Sequence, residues 1–339
     1  MVEEKKTVTS KDVAKLAGVS QSTVSRVFMA DSSSSSESRK KVLEAASQLN
    51  YRPNAFARSL ITRESKLIGL VFPDVDYPVH METLQLLSRE LKNKGYSAVL
   101  IPWQVDDNLH TISNIFQYRV DGVIAASAQF NTLFYDECKM FNIPVVQFAR
   151  VQDSTQFTSV TVDNYGAGQE AASHLLDRGA RSLAYLTGHI PSYTNTERER
   201  GFVDSVMSRT GRRPEVICGS YNYKEAVDRV RTLMNGSHRP DAVFCATDIL
   251  AIALLDVAKH EQHLNIPQEL QVIGFDDIPQ ASWMSYQLTT FRQDFSRLAR
   301  ESVRVLLDQI SGQSNATTRL MIPASLVERR TTCRRGCVL

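Results

Sequence analysis

Beyond residue 64 the chain alternates short apolar runs with longer stretches of helical periodicity, and this alternation restricts its fold more than any other feature. Strands that are apolar on both faces occur in parallel sheets covered by helices on each side. The runs occupy 67–72, 97–101, 122–125, 144–148, 183–186, 242–245 and 271–275. The sequence therefore predicts an α/β body built on parallel sheets.

The alternation breaks around 143–163, where two strand-like runs follow one another without a long helix between them. The runs are also more numerous than one small sheet usually holds. Both observations predict two α/β lobes. Ligands of open parallel sheets bind beyond the carboxyl ends of the strands, so we expect the functional residues of the body there.

The composition is that of an ordinary soluble globular protein, with 339 residues, 42% apolar and 22% charged. No stretch approaches the ~18 consecutive apolar residues of a membrane span, and the first residues lack the layout of a secretion signal. Five scattered cysteines do not make a disulfide framework. We therefore expect a cytoplasmic protein with no membrane partner.

Positive charge is concentrated at the start of the chain. Residues 1–63 carry a net charge of +5, whereas the rest carries −3. A basic segment on a mildly acidic body favours contact between that segment and a polyanion. A solvated charged surface is the alternative, which charge alone does not reject.

The basic segment has the pattern of short amphipathic helices. Ser10 is the expected cap of the first helix, which Gly18 ends. Its apolar face contains Val13, Leu16 and Ala17. The second helix runs from 21 to about 29 after its expected cap, and its outer face presents small polar residues and one arginine. Its expected cap is Ser20, its apolar residues are Val24, Val27 and Phe28, and its outer residues are Ser22, Ser25, Arg26 and Met29.

A third amphipathic helix follows a serine-rich loop. Its inward-facing residues are Val42, Leu43, Ala46 and Leu49, and it starts with Arg39, Lys40 and Lys41. The helix dipole disfavours cations at that end of a helix, so their placement there is best explained if they face phosphate groups. Ordinary surface cations are the alternative. Two short helices joined through glycine, with such a polar second helix, are typical of a DNA-binding helix-turn-helix.

Residues 8–27 read Val-Thr-Ser-Lys-Asp-Val-Ala-Lys-Leu-Ala-Gly-Val-Ser-Gln-Ser-Thr-Val-Ser-Arg-Val and resemble the start of the LacI-type (lactose-repressor-like) bacterial transcription regulators. The resemblance continues in order at 51–60, 121–124, 162–164, 274–277, 288–294 and 323–329. It implies a helix-turn-helix domain over 1–52, a hinge helix over 53–63 and a two-lobed α/β periplasmic-binding-protein-like domain over 64–339. The last of these would bind an effector and dimerise, with lobe crossovers near 163, 292 and 322.

The resemblance assigns base reading in the major groove to Gln21, Ser22 and Arg26, and phosphate contacts to Thr23 and Ser25. Arg26 has an independent physical reason, because a guanidinium can donate two hydrogen bonds to a guanine edge. Phosphate contacts fix the register of the protein on DNA without reading its sequence.

The expected hinge helix starts at Pro53 and has about nine residues. A helix shorter than ~12 residues is marginal in water, so this one should form only against a second copy or on DNA. By resemblance, Leu60 inserts into the minor groove and kinks it, and Asn54 and Ala57 are further DNA contacts. The alternative makes Leu60 an ordinary linker residue.

The resemblance also implies an effector between the lobes. The matching positions are Tyr77, Thr194, Arg198, Tyr221, Thr247, Asp248, Asp276 and Phe295. The chain departs from the family pattern at Ala149, where many relatives carry aspartate, and at Tyr77-Pro-Val79, which replaces a common Asn-Pro-Phe. Loss of a carboxylate and of an aromatic wall favours a sugar derivative or an anionic metabolite over a simple neutral sugar.

The favoured function is a DNA-binding transcription regulator, a repressor that a small molecule switches. A solute-binding protein of the same build would need a signal peptide and no DNA module. An enzyme is disfavoured because phosphate-binding, dinucleotide-binding and nucleophile-elbow motifs are absent, and His260 and His263 lack the zincin spacing. No cofactor or metal is expected, and the roles of Cys333 and Cys337 stay open. A regulator whose body answers to a partner protein, or needs no ligand, remains an alternative.

The expected assembly is a homodimer. No leucine heptad follows the last recognised motif, so a tetramerising helix is not expected. Two-fold symmetry of the protein would be mirrored in a pseudo-palindromic operator on the bacterial nucleoid.

Replacing the arginine of the second helix tests base reading. We expect Arg26→Ala to weaken operator binding by ~1–3 kcal/mol and binding to random DNA much less, because only the operator offers the matched guanine. Fluorescence anisotropy on both duplexes at one salt concentration measures this. Equal losses on the two duplexes would contradict the role.

Overall fold

The computed structural model of the chain contains two compact units, residues 1–65 and residues 66–339. It describes residues 8–28, 35–52, 64–73, 78–103, 108–126, 132–149, 151, 157–188, 192–235, 239–314 and 316–332. The predicted hinge segment 53–63 lies outside the described residues. None of the described helices combines the length and apolarity needed to cross a membrane.

Within its described residues, the first unit contains three helices around a small core. They are α1 (Ser10–Ala17), α2 (Gln21–Val27) and α3 (Ser36–Gln48). The buried residues of this core are Val13, Ala14, Val24, Val27, Val42, Ala45 and Ala46. Three alanines let the helices approach closely, and Phe28 and Tyr51 close one side with ring centroids 6.0 Å apart.

The N-terminal cap differs from the sequence-based expectation in α1 and agrees with it in α2. Thr9 rather than Ser10 caps α1, because its backbone N and its Oγ1 both donate to Asp12 Oδ2, at 2.9 and 2.7 Å. Ser20 caps α2 as predicted, accepting from the Thr23 backbone N at 3.2 Å.

The predicted inward positions of two leucines are wrong. Leu16 is 50% exposed and Leu43 is 44% exposed. The buried positions instead include Ala14 and Ala45, each two residues from the predicted leucine, because small side chains permit the closer helix contact.

The second unit contains two six-stranded sheets. We call the part around the first sheet the N-lobe; its strand order is β11-β5-β4-β3-β1-β2 and all pairs are parallel. These strands are β1 (Leu67–Phe72), β2 (Ser97–Pro102), β3 (Gly122–Ala125), β4 (Val145–Ala149), β5 (Thr158–Val162) and β11 (Arg319–Ile322). Its helices are α4 (Pro78–Asn93), α5 (Asn108–Tyr118), α6 (Thr132–Met140) and α11 (Phe295–Ile310).

The part around the second sheet is the C-lobe, with strand order β12-β10-β9-β8-β6-β7. Among the described strand pairs of this sheet, β10–β12 is antiparallel and the others are parallel. The strands are β6 (Leu183–Thr187), β7 (Glu215–Cys218), β8 (Ala242–Cys245), β9 (Gln271–Asp276), β10 (Thr289–Arg292) and β12 (Ser325–Val327). The helices are α7 (Asn164–Asp177), α8 (Tyr193–Thr210), α9 (Tyr223–Met234) and α10 (Asp248–Asp256).

The chain passes between the lobes three times. It crosses after β5, between β10 and α11, and between β11 and β12, at the three positions implied by the resemblance. All seven apolar runs are strands, so the predicted two-lobed α/β body is confirmed.

A buried histidine ties α7 to β10 in the C-lobe. His174 Nε2 lies 3.0 Å from Thr332 Oγ1, which in turn lies 3.1 Å from Thr289 Oγ1. Burial lowers the pKa of His174 to about 4; Arg178 adds to the lowering, and Glu328 opposes it. The folded protein therefore holds this imidazole in its neutral form near pH 5–6, where an unfolded chain binds the proton.

This depressed pKa predicts acid sensitivity. The stability that neutral His174 contributes is complete above its ordinary pKa of 6.5 and is lost as the pH falls toward 4. We expect about 2 kcal/mol of this loss to be absent from His174→Gln, which keeps a hydrogen-bonding group for Thr332. Urea unfolding of both proteins at pH 5.0 and 7.5 measures it, and parallel losses would contradict it.

Candidate functional site

A cavity of about 80 Å³ lies between the lobes, at the carboxyl ends of the parallel strands. The N-lobe wall is mostly apolar and consists of Phe72, Val79, His80, Thr83, Ala126, Phe148 and Ala149. The C-lobe, the crossover before α11 and the first residue of α11 supply the polar wall, whose described residues are Asn164, Ser192, Thr194, Asn195, Arg198, Tyr221, Ala246, Thr247, Asp276, Gln293 and Phe295. One face of a ligand would therefore meet apolar groups and the other hydrogen-bonding groups.

Arg198 is the central cation of the polar wall and is 8% exposed. Its Nε and Nη2 donate to Asn164 Oδ1 at 3.2 and 2.7 Å, and its Nη1 donates to the Ala246 carbonyl. The guanidinium carbon lies 3.2 Å from the centroid of the Phe275 ring. These contacts fix the plane of the guanidinium and leave further N–H groups for a ligand.

Two glycines bring Arg198 and Asn164 together. A side chain at Gly168 of α7 would overlap the backbone of α8, and one at Gly201 of α8 would overlap the carbonyl of Tyr165. The two helices can therefore cross in backbone contact. That crossing places the first residue of α7 beside the guanidinium carried by α8.

Asp276 is the carboxylate of the polar wall and ends β9 with φ 121°, a value that L residues rarely adopt. Its Oδ1 accepts from Gln293 Nε2 at 2.6 Å. The next residue, Asp277, also has a positive φ of 56° and is held by Arg292 and Arg329, each at 2.6 Å. These ion pairs hold the strained turn that directs Asp276 toward the cavity.

Aromatic rings stand on both sides of the cavity. Phe72 ends β1 and Phe148 is the last residue but one of β4, both in the N-lobe, while Tyr221 and Phe295 lie on the opposite wall. Tyr221 packs directly on Gly188, where any side chain would overlap its ring. Such rings suit the apolar face of a sugar or a flat substituent.

Asp248 does not line the cavity. It is 0% exposed, its Oδ2 accepts from the Ile278 backbone N at 2.8 Å, and its Oδ1 lies 2.5 Å from Thr290 Oγ1. Gly274 is required beside it, because a side chain there would overlap this carboxyl group. Burial, and next the charge of Asp276, raise the pKa of Asp248 to about 8. The carboxyl is thus protonated at neutral pH and joins α10 to β10 and the turn after β9.

The first unit, residues 1–65, which the sequence predicts to bind DNA and which we call the DNA unit, presents the other candidate surface, on α2. Gln21, Ser22 and Arg26 are exposed, whereas Thr23 and Ser25 are partly buried. Gln21 Nε2 donates to Ser10 Oγ at 2.9 Å, and Arg26 Nε donates to the Ser22 carbonyl at 3.4 Å.

Comparison with known proteins identifies the chain's relatives. The pattern of "Bacterial regulatory proteins, lacI family" matches residues 9–54, and that of "Periplasmic binding protein-like domain" matches 172–332. The HTH-type transcriptional repressor PurR of Photorhabdus laumondii is 31% identical over 328 residues, 95% of this chain and 96% of the relative. The chain belongs to the lacI family of bacterial regulatory proteins. Catabolite control protein A of Priestia megaterium is a further relative, 28% identical over 96% of this chain and 99% of that protein.

Two solved structures that resemble this lacI-family chain are complexes of regulators with small molecules. A Lac repressor dimer bound to operator and the anti-inducer ONPF is similar over 96% of our chain and 99% of the repressor chain, with 28% identity and a TM-score of 0.85. A complex of the transcriptional regulator CelR with cellobiose is similar over 96% of our chain and 99% of the CelR chain, with 26% identity and a TM-score of 0.73. The lacI-family chain is a DNA-binding transcriptional regulator, not an enzyme.

The structure gathers most effector positions predicted for this lacI-family protein into one wall. They are Thr194, Arg198, Tyr221, Thr247, Asp276 and Phe295. Asp248 is corrected to a buried connection behind that wall, because its carboxyl group is fully used by the fold. Tyr77, Asn54, Ala57 and Leu60 lie outside the described residues, and their roles stay predictions.

Sequence reasoning missed the N-lobe side of the cavity and the partners of Arg198. Phe72 and Phe148 close apolar runs, so their position at strand ends was the available signal. Asn164 stands in a recognised family motif, but its contact with Arg198 depends on the helix crossing, which no local pattern encodes.

A neutral amide should replace the buried carboxyl of this lacI-family protein without harm. Asp248→Asn keeps an oxygen that accepts from the Ile278 backbone N, and its amide N–H can donate to Thr290 Oγ1 in place of the bond that this hydroxyl donates to Asp248. The stability held by protonated Asp248 is lost as the pH rises through about 8, so we expect the variant to exceed the wild type by about 2 kcal/mol at pH 8.5 and by less at pH 6. Thermal unfolding at both pH values measures this. A variant less stable at both would contradict a protonated Asp248.

Proposed function

We propose that this lacI-family chain is a sequence-specific repressor whose hold on its operator is controlled by a sugar derivative bound between the lobes. The observation that carries the proposal is the presence of both Arg198 and Asp276 in one buried cavity wall, in a chain that also has a helix-turn-helix unit. The cavity wall would recognise the ligand, and the helix-turn-helix unit would recognise DNA.

The proposed DNA contacts follow from the exposed face of α2. Gln21, Ser22 and Arg26 would read bases, and Thr23 and Ser25 would contact phosphates. Lys41 is bound to Glu37 at 2.8 Å, so this lysine would have to exchange its partner to reach a phosphate.

The ligand is proposed as neutral and rich in hydroxyl groups. Among the described residues of the polar wall, the positive charge of Arg198 is matched by the negative charge of Asp276, and the other polar side chains are amides and hydroxyls. Donors and acceptors mixed in this way suit hydroxyl groups better than an anion. The mostly apolar N-lobe wall favours an apolar substituent on the sugar. The cellobiose complex of CelR and the ONPG complex of Lac repressor support the general class of ligand, and not its identity.

The working form is proposed to be a homodimer on a pseudo-palindromic operator, at the nucleoid. Two adjacent apolar side chains after β9 support self-association, since Trp283 is 55% exposed and Met284 is 96% exposed. Ligand binding would bias the relative position of the lobes, which three crossovers join, and so change how two copies present their DNA units.

The function is tested by gel-shift with genomic fragments, repeated with a panel of sugars and glycosides. We expect salt-sensitive binding to a specific fragment, and at least one panel member should change the affinity at least fivefold. Arg198→Ala should lose that response and keep DNA affinity within about threefold, because its guanidinium serves the ligand.

The matched control is Arg200→Gln, an exposed change two residues along the same helix. It should respond like the wild type. Protein with no preference for any duplex would overturn the regulator proposal, and a full response from Arg198→Ala would overturn the ligand site.

A further inference from the structure

A second cavity opens on the N-lobe, at the edge of the sheet opposite to the effector cavity. Its volume is about 790 Å³, which is within the range of small-molecule sites. Asp121, Pro144 and Phe157 line it and come directly before β3, β4 and β5. We call it the amino-edge groove, since these residues lie at the amino ends of the strands. The effector cavity lies at the carboxyl ends, so the two are separate.

The floor of the amino-edge groove is apolar and held from beneath. Ile143, Val145 and Phe157 are half-buried there. The Phe157 ring stacks on the buried Tyr135 ring, with centroids 3.7 Å apart and 24° between the ring planes. Tyr135 is fixed in turn, because its hydroxyl oxygen accepts from Gln147 Nε2 at 2.6 Å. An apolar side chain of a ligand can therefore pack on this floor without rearranging it.

Two opposite charges line the wall that α6 provides. Asp136 and Lys139 are three residues apart, a spacing at which side chains on a helix can pair. Glu301 and Arg304 of α11 do pair at this spacing, at 2.9 Å. The side chains of Asp136 and Lys139 instead make no ion pair or hydrogen bond with any residue that the structure describes. Both charges therefore stay available to a bound molecule.

The remaining charged residue among the described lining of the groove serves the fold. Asp121 Oδ2 accepts a hydrogen bond from the Lys66 backbone N at 2.8 Å, at the start of the second unit. This contact holds the segment that enters β1. Asp136 and Lys139 are thus the charges that a ligand would meet.

The wall opposite α6 offers neutral polar groups. Gln309 ends α11 together with Ile310, and Ser314 and Thr317 lie between α11 and β11. Amides and hydroxyls hydrogen-bond carboxylate and peptide groups, but they do not neutralise a charge. A ligand in the groove therefore finds its ionic partners on α6 and its neutral partners on the other side.

We propose that the amino-edge groove is a second ligand site, which takes a zwitterionic amino acid or short peptide with an apolar side chain. The ammonium group would lie against Asp136, the carboxylate against Lys139 and the side chain on Phe157. A ligand with one charge would leave Asp136 or Lys139 without a partner, and a neutral sugar would leave both. This inference goes beyond the proposed function, because the groove shares no described residue with the effector cavity.

Calorimetry on the full chain tests the required charges. The probes are L-phenylalanine, hydrocinnamate without the ammonium group, phenethylamine without the carboxylate, and N-acetyl-L-phenylalaninamide without either charge. We expect phenylalanine to bind at least about fivefold tighter than each singly charged analogue, and the neutral analogue to bind most weakly. The dipeptide L-phenylalanyl-L-leucine separates the two sources of this chemistry, since tighter binding of the dipeptide assigns the groove to a peptide.

Variants of α6 assign each charge to its partner. Asp136→Asn should bind phenylalanine and hydrocinnamate equally, because the ammonium group has lost its carboxylate. Lys139→Gln should bind phenylalanine and phenethylamine equally for the corresponding reason. Glu137→Gln is the matched control, since Glu137 lies on the same helix and is absent from the described lining of the groove. It should keep the full preference for phenylalanine.

Equal binding of all four phenyl compounds by the wild type would overturn the proposal. So would failure of both phenylalanine and the dipeptide to bind at millimolar concentration. Arg198→Ala should bind phenylalanine like the wild type, whereas a loss in this variant would place the amino acid between the lobes and would also overturn the proposal. Gel-shift on genomic fragments tests the proposed DNA-binding function separately, because these variants leave the DNA unit unchanged.

Discussion

The effector site depends on one buried cation. A guanidinium removed from water is strongly unfavourable unless its N–H groups are matched, and Arg198 finds its partners on three separate segments. Asn164 begins α7, Ala246 follows β8, and Phe275 lies in β9. The polar wall therefore forms only when these segments are assembled. The glycine crossing of α7 and α8 is the part of the sequence that permits it.

Residues at the strand ends divide into those that serve the ligand and those that serve the fold. Asp276 faces the cavity from a strained backbone position, while Asp277 is held by two arginines that fix the turn. Asp248 stands behind them as a buried carboxyl. Three aspartates within one small region thus have three environments, and burial and pairing rather than residue type separate their roles.

Much of the fold follows from local pattern. The apolar runs predicted strands because both faces of a parallel strand are covered, and the break near 143–163 predicted two lobes. Strand β10 was harder to predict from the sequence, because Thr289 and Thr290 have polar side chains and are nonetheless fully buried. In the DNA unit the helical periodicity of apolar residues located the helices correctly but placed two exposed leucines in the core. The buried positions Ala14 and Ala45 depend on close packing between helices, which the pattern within one helix does not show.

The sequence by itself determined the order of parts: a basic helix-turn-helix segment, then two α/β lobes with polar residues at the strand ends. These features depend on periodicity and on short motifs, which are local. Tertiary structure decided which polar residues face the cavity. Asp248 turned inward and Thr83 came to line the wall, because both outcomes depend on contacts between segments far apart in the chain.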